Sequence, residues 1–104
     1  MDPEDLKLLA LARAAQARMH ADGAAAVRDL DGRTYSATAV ALPSLSLSAL
    51  QVAVAMALSS GAAGFEAAVV LGPADAAGLA AIADVSASAP VFTGAEDGLT
   101  RVHS

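Results

Sequence analysis

The sequence predicts an α/β fold, a three-layer α/β/α sandwich around a five-stranded mixed sheet, formed by one domain over residues 1–104. Three observations predict it. The chain opens on an amphipathic helix pattern, and residues 65–71 form a continuous apolar run that is typical of a strand covered on both faces. Helix-like and strand-like segments then follow one another in the order helix, hairpin, helix, strand, helix, strand, strand.

The first third of the chain predicts a helix and a hairpin. Asp2 caps a helix over residues 3–20, with Pro3 at its first position. Asp31-Gly32 lies between two β-like runs, 24–29 and 34–40, and predicts a hairpin with a type I′ turn. The following Pro43-Ser44 ends the second strand.

The remaining helices and strands are predicted from apolar runs and from the serine, glycine and proline residues at which these runs begin or end. Ser44 or Ser46 caps a second helix that runs to residue 60, and Gly61 ends it. No side chain from 34 to 65 carries a formal charge, so we expect this helix to be buried nearly all round. A third helix is expected to begin at Pro73 and to end near residue 84, and strands follow at 90–93 and 99–103.

The composition predicts a tightly packed core that a partner subunit completes. The chain has 104 residues, of which 56% are hydrophobic but only 3% aromatic, and 29 are alanines. Small side chains bury little surface each, and a short domain is marginal by surface-to-volume scaling. We therefore expect a homo-oligomer.

Charge and cysteine content exclude several function classes. The formal net charge is −5 and the six basic residues are scattered, which argues against nucleic acid or an anionic membrane as a partner. No apolar run approaches the roughly 20 residues of a membrane span. The chain has no cysteine, which excludes thiolate zinc sites and fits a reducing cytoplasm. The first residues lack the basic segment that begins a secretory signal.

The sequence shows none of the usual arrangements of catalytic residues. His20 and His103 are isolated, which favours solvated or capping roles. Ser48 lies near the start of the second helix, but its segment offers no base, so capping or back-bonding is favoured over nucleophilic catalysis. Three aspartates near the hairpin lack the spacing of a calcium loop and indicate a solvated turn. They are Asp22, Asp29 and Asp31.

Several strings resemble the cytidine deaminase family, in that family's order and spacing. Residues 23–27 with 31–35 resemble its first hairpin, and residues 45–61 resemble the segment that carries T-x-C-A-E-R-x-A in active members. Residues 65–70 resemble the strand F-x-A-I-A-V, and Pro73 begins what would be the P-C-G-x-C-R helix. The resemblance spans essentially the whole chain and implies the cytidine deaminase-like fold.

The resemblance also implies that catalytic groups are missing. It puts Ser48 at the first zinc-ligand position, Leu50 at the catalytic glutamate, and Ala74 and Ala77 at the other two zinc thiolates. Active members need that zinc to activate water and that glutamate to move protons to the base. The resemblance therefore implies a chain without metal, cofactor or deaminase activity.

The positions that the resemblance assigns to nucleoside contacts are Ala39 and Ala41. The leading interpretation is a catalytically inactive, metal-free deaminase-like domain that serves as a structural or protein-interaction module. Two alternatives stay open: a nucleoside or nucleotide sensor without chemistry, and a divergent hydrolase that uses Ser48. The expected partners are further copies of this chain, as the dimer or tetramer that the resemblance implies, and an unidentified protein; neither nucleic acid nor a membrane is expected.

Overall fold

The structure, a computed structural model, describes residues 2–72, 75–95 and 98–103, which form three helices and seven strands. The helices are α1 (Pro3–Met19), α2 (Ala49–Ser59) and α3 (Ala76–Val85). The strands are β1 (Ala24–Asp29), β2 (Thr34–Ala37), β3 (Val40–Leu42), β4 (Leu45–Leu47), β5 (Phe65–Leu71), β6 (Val91–Ala95) and β7 (Gly98–His103). The first helix is capped by Asp2, whose carboxylate accepts a hydrogen bond from the Glu4 N–H, as predicted.

Five strands form one mixed sheet in the order β2-β1-β5-β6-β7. The β5–β6 pair is parallel and the other neighbours are antiparallel. Successive residues of β5 enter two different cores, because the sheet is covered on both faces: Val69 packs beneath α1, whereas Val70 packs beneath α2 and α3. The predicted three-layer sandwich with a five-stranded mixed sheet is confirmed.

Small side chains bring α1 close to the sheet. The helix buries Leu8, Leu9, Ala12 and Ala15 against alanines of β1 and β5. A methyl group occupies so little space between backbones that the helix lies close to the strands. The alanine-rich composition therefore appears in the structure as a core of small side chains between α1 and the sheet.

A partly buried ionic network also holds α1 on the sheet. The register of β1 against β5 shifts next to Arg28, whose side chain is only 12% exposed. Arg28 Nε donates to Glu66 Oε1 at 3.0 Å, and Nη2 donates to Asp5 Oδ1 of α1 at 3.0 Å. Burial lowers the pKa of Arg28, but the two carboxylates outweigh this effect and raise it. The guanidinium therefore stays charged and links one helix to two strands.

The β1–β2 hairpin forms where predicted, but its turn is different. Asp29 is 1% exposed, and its Oδ1 accepts hydrogen bonds from the N–H groups of Asp31 and Arg33, each at 2.9 Å. Gly32 has φ +85°, whereas Asp31 does not have the positive φ that a type I′ turn requires. The type I′ turn and the solvated role of Asp29 were wrong predictions, because this carboxylate supplies the hydrogen bonds that organise the loop.

A small hairpin replaces the predicted start of α2. Strands β3 and β4 pair antiparallel, with Val40 opposite Leu47. Ser44 and Ser46 lie in this hairpin, so the prediction that one of them caps α2 is wrong, and β2 ends before Val40. The alternation of large and small residues on both sides of the turn favours a short strand pair over a first helical turn.

The third helix begins later than predicted. It starts at Ala76 after the cap residue Asp75, and ends at Val85. Pro73, the predicted first residue, lies outside the described residues. Within the described ranges, no helix has both the length and the apolar character needed to cross a bilayer.

Candidate functional site

A cleft of about 340 Å³ opens where β5 ends and where α2 and α3 begin. In open α/β sheets, ligands bind outside the carboxyl ends of the strands, so this position is the expected one for a site. Its described lining comes from five segments: Ala21, Asp22 and Gly23 before β1, Ala39 after β2, Ser48 and Ala49 at the start of α2, Val70 and Leu71 of β5, and Asp75 before α3.

The first turn of α2 is closed by a capping box. Ser48 Oγ accepts a hydrogen bond from the Gln51 N–H at 3.1 Å, and the Ser48 N–H donates to Gln51 Oε1 at 2.9 Å. This pair satisfies donors that a helix N-terminus otherwise leaves free. Of the two roles predicted for Ser48, capping and back-bonding, the structure shows capping, and its hydroxyl accepts a hydrogen bond from its own helix.

The first turn of α3 is closed by a carboxylate. Asp75 Oδ1 accepts a hydrogen bond from the Gly78 N–H at 2.7 Å. A negative side chain at this place is favoured by the helix dipole. Asp75 was not predicted as a cap, because Pro73 is itself a strong helix-start signal. An aspartate three residues before a helical glycine was the signal that could have found it.

The first turns of α2 and α3 pack directly on each other. Leu50 is fully buried in the core shared by the two helices and the sheet. A Cβ built on Gly78 would lie 2.7 Å from Leu50 Cβ and would also overlap the Asp75 carboxyl group. Only glycine allows this approach, and the contact buries Leu50 below the cleft.

The opposite wall depends on a close contact between two backbones. A Cβ on Gly72, whose φ is +98°, would lie 2.9 Å from Gly23 Cα. The segment before β1 therefore contacts the end of β5 with no side chain between them. The two glycines add no side chain to this part of the wall, where Asp22 is the polar residue of the described lining.

The structure brings some of the predicted site residues together. Ala39 and Ser48 line the cleft, and Leu50 lies buried two residues beyond Ser48. Ala41 is exposed on β3 and Ala77 is exposed on α3, and neither belongs to the described lining. Ala74, the remaining position, lies outside the described residues.

The donor groups of the cleft do not fit a catalytic zinc ion. Such sites use three protein ligands, each a thiolate, an imidazole or a carboxylate. The described lining offers the carboxylates of Asp22 and Asp75 and the hydroxyl of Ser48, two of which already cap helices, and the chain has no cysteine. Among the described residues, no group of three histidines or acids is arranged to hold a metal. The exposed His20 ends α1 with φ +50°, the predicted capping role.

Comparisons with known proteins agree with this architecture. The family model described as cytidine deaminase-like matches residues 1–98. The cytidine deaminase from Burkholderia pseudomallei superposes with a TM-score of 0.81 at 19% identity, over 99% of this chain and 93% of that one. No curated protein matches in sequence.

Two mycobacterial structures give the same result. A mutant cytidine deaminase from Mycobacterium tuberculosis superposes with a TM-score of 0.73 at 19% identity, over 96% of this chain and 92% of that one. The cytidine deaminase from Mycobacterium leprae gives 0.73 at 16% identity, over 96% and 94%. At these identities the similarity shows the fold alone.

Replacing Gly78 tests the contact between the two helices. A glycine-to-alanine change inside a helix stabilises by about 1 kcal/mol on propensity alone. Here the added Cβ overlaps Leu50 and Asp75, so we expect Gly78→Ala to lose about 1–3 kcal/mol of unfolding free energy in urea melts. The exposed Ala80→Gly on the same helix reports the propensity effect by itself. A Gly78→Ala protein more stable than the parent contradicts the contact.

Proposed function

This chain belongs to the cytidine deaminase-like family, and we propose that it is a catalytically inactive, metal-free member that acts as a structural or protein-interaction module. One observation carries the proposal: both helices that begin at the cleft are capped by their own side chains, α2 by Ser48 with Gln51 and α3 by Asp75. Two of the three polar side chains in the described lining are thus used to hold the fold together, and Asp22 is the third.

The residue types at the inferred catalytic positions support the proposal. Nucleobase deamination needs a metal-activated water and a glutamate that moves protons. Ser48 and Leu50 stand where the resemblance puts a zinc ligand and that glutamate; the first caps a helix and the second is buried hydrocarbon. Ala74 and Ala77 bear methyl groups. These four positions therefore supply no group to activate water or to protonate a base.

The cleft itself favours a second candidate, a nucleoside sensor without chemistry. Its volume of about 340 Å³ falls within the range of small-molecule pockets. Base recognition, however, needs several convergent polar groups. Ala39 supplies none, and Asp75 and Ser48 are engaged in capping, which leaves the Asp22 carboxylate as the remaining polar side chain of the described lining. A hydrolase built on Ser48 is supported less, since the described lining contains no histidine to act as its base.

The interaction role fits the charge and composition of the chain. Further copies of the chain, as a dimer or tetramer, are the first partners that we propose, and an unidentified protein is the second. The net charge of −5 with scattered basic residues disfavours nucleic acid and anionic membranes. The cysteine-free composition supports a place in the reducing cytoplasm.

The proposal predicts a purified protein with neither bound zinc nor deaminase activity. Elemental analysis should find far less than one zinc per chain, and cytidine and deoxycytidine should be converted no faster than in buffer, because the donor set lacks thiolate and imidazole. An active cytidine deaminase assayed in parallel is the control. One tightly held zinc per chain, or turnover above the buffer rate, would overturn the proposal.

Introducing a carboxylate at Leu50 tests whether this position is core or pocket. Leu50→Glu places an ionisable group in a fully buried site, which favours the neutral form and raises its pKa above the ordinary glutamate value. The folded state then holds its proton to higher pH than the unfolded state. The variant therefore loses stability as the pH rises through the ordinary glutamate range and up to the raised value.

The matched control is Leu58→Glu, the same substitution at an exposed position of the same helix. We expect urea melts to show a stability deficit of several kcal/mol for Leu50→Glu at neutral pH, smaller at acidic pH. The Leu58→Glu deficit should be small at both. Equal deficits for the two variants would mean that water reaches position 50, and would favour the sensor.

A further inference from the structure

The described lining of the cleft carries negative charge but no positive charge. Its ionisable side chains are Asp22 and Asp75, and it includes no lysine, arginine or histidine. Asp75 uses one carboxylate oxygen to cap α3. The exposed Asp22 forms no hydrogen bond and no ion pair with the described side chains, so its charge is available to a ligand.

A close backbone contact brings the two acidic residues to the same cleft. A Cβ on Gly72 would lie 2.9 Å from the carbonyl oxygen of Asp22, so Asp22 lies against the end of β5. Asp75 follows Gly72 by three residues, and three residues span at most about 11 Å. The fold therefore holds both acids beside one contact, although they are far apart in the sequence.

The partial positive charges at the starts of α2 and α3 do not neutralise Asp22. A helix N-terminus favours a negative side chain, but the effect falls off within the first turn. The first turn of α3 already has Asp75, and that of α2 is closed by Ser48 and Gln51. Asp22 precedes β1 and belongs to neither helix start. Its carboxylate is therefore the group that a ligand of opposite charge would meet.

The walls around the two acids are hydrocarbon. Ala39, Ala49 and Leu71 belong to the described lining. Burial nearly all round was expected for α2, but the structure corrects this: Ala55 and Met56 are exposed on its outer face, while its first turn lines the cleft. Apolar walls do not suit a hydrated metal ion, which takes six or more oxygen ligands. They suit the hydrocarbon part of an organic cation.

We infer that the cleft binds a small organic cation, a primary amine whose ammonium group lies at Asp22 and Asp75 and whose hydrocarbon part contacts the apolar walls. The volume of about 340 Å³ is near the lower end for small-molecule pockets, so the ligand is small. An alkylammonium ion needs only what the lining offers, which is carboxylate acceptors and apolar surface.

Other ligand classes fit the cleft less well. An anion, including a nucleotide, would meet two carboxylates and no basic residue of the described lining. A neutral nucleoside would bury polar groups that Ala39 and the engaged Ser48 leave unpaired. The inference goes beyond the proposed function, because it gives the inactive domain a ligand that is not a nucleoside and requires no reaction.

Three ligands with the same carbon frame test the inference in NMR titrations of the unmodified protein. Phenethylamine, phenethyl alcohol and phenylacetate are a cation, a neutral molecule and an anion at neutral pH. We expect saturable shifts of the Gly23, Ala39 and Ala49 amide signals with the amine, and binding of the alcohol that is about fivefold weaker or less. The acid should not bind. No saturable amine binding, equal binding of the alcohol, or amine shifts confined to residues outside the cleft would overturn the inference.

Two variants separate a site from general attraction to an acidic protein. Asp22→Asn and Asp84→Asn each remove one negative charge, but Asp84 is exposed at the end of α3 that lies away from the cleft. We expect Asp22→Asn to weaken amine binding about fivefold, and Asp84→Asn to leave it nearly unchanged. Equal effects of the two changes would contradict the site. Thermal melts check that both variants fold, and the comparison of the three ligands on the parent holds in either case.

The outcomes are separable from those of the proposed function. A chain that binds no amine and has neither zinc nor turnover would lose the cation site and remain an inactive domain. A chain that deaminates cytidine would overturn the inactivity, whatever the amine titration shows.

Discussion

The packing of the first turn of α2 on the first turn of α3 is the constraint on which the cleft depends. Gly78 lets Leu50 approach to a distance that a side chain at position 78 would prevent. Once the helices are this close, their N-terminal N–H groups need partners at the surface of the cleft, and Ser48, Gln51 and Asp75 provide them. The two helix starts that pack on each other are therefore also the ones whose caps engage Ser48 and Asp75, two of the three polar side chains in the described lining.

Because the core consists of small side chains, the stability of the fold depends strongly on interactions other than apolar burial. A chain with 29 alanines among 104 residues gains little apolar burial from each side chain, so its margin of stability is narrow. The Arg28 network compensates on one side of the sheet by linking α1 to β1 and β5. On the other side, α2 still exposes apolar surface.

The layers of the fold could be predicted because their signals are local and strong. The continuous apolar run of β5 requires cover on both faces, and the Asp2-Pro3 start of α1 is a capping pattern that tertiary contacts do not override. The lack of any base around Ser48 favoured capping or back-bonding over catalysis, but the sequence pattern put the cap of α2 at Ser44 or Ser46, where the structure has a hairpin.

Other features depend on contacts between distant residues. The shifted register that places Glu66 beside Arg28 is a property of two paired strands. The burial of Asp29 depends on how the hairpin folds over its carboxylate, and the Asp75 cap depends on where α3 begins after Pro73. The contact of Leu50 with Gly78 joins residues 28 positions apart. A local sequence pattern cannot predict a contact between residues so far apart in the chain.

Calorimetric titration of the unmodified protein with cytidine and deoxycytidine tests most directly whether the cleft keeps a ligand site. With Ser48, Gln51 and Asp75 engaged in capping and Ala39 in the wall, we predict no saturable heat at millimolar nucleoside. Saturable one-site binding that disappears when Ala39→Trp fills the cleft would contradict the account.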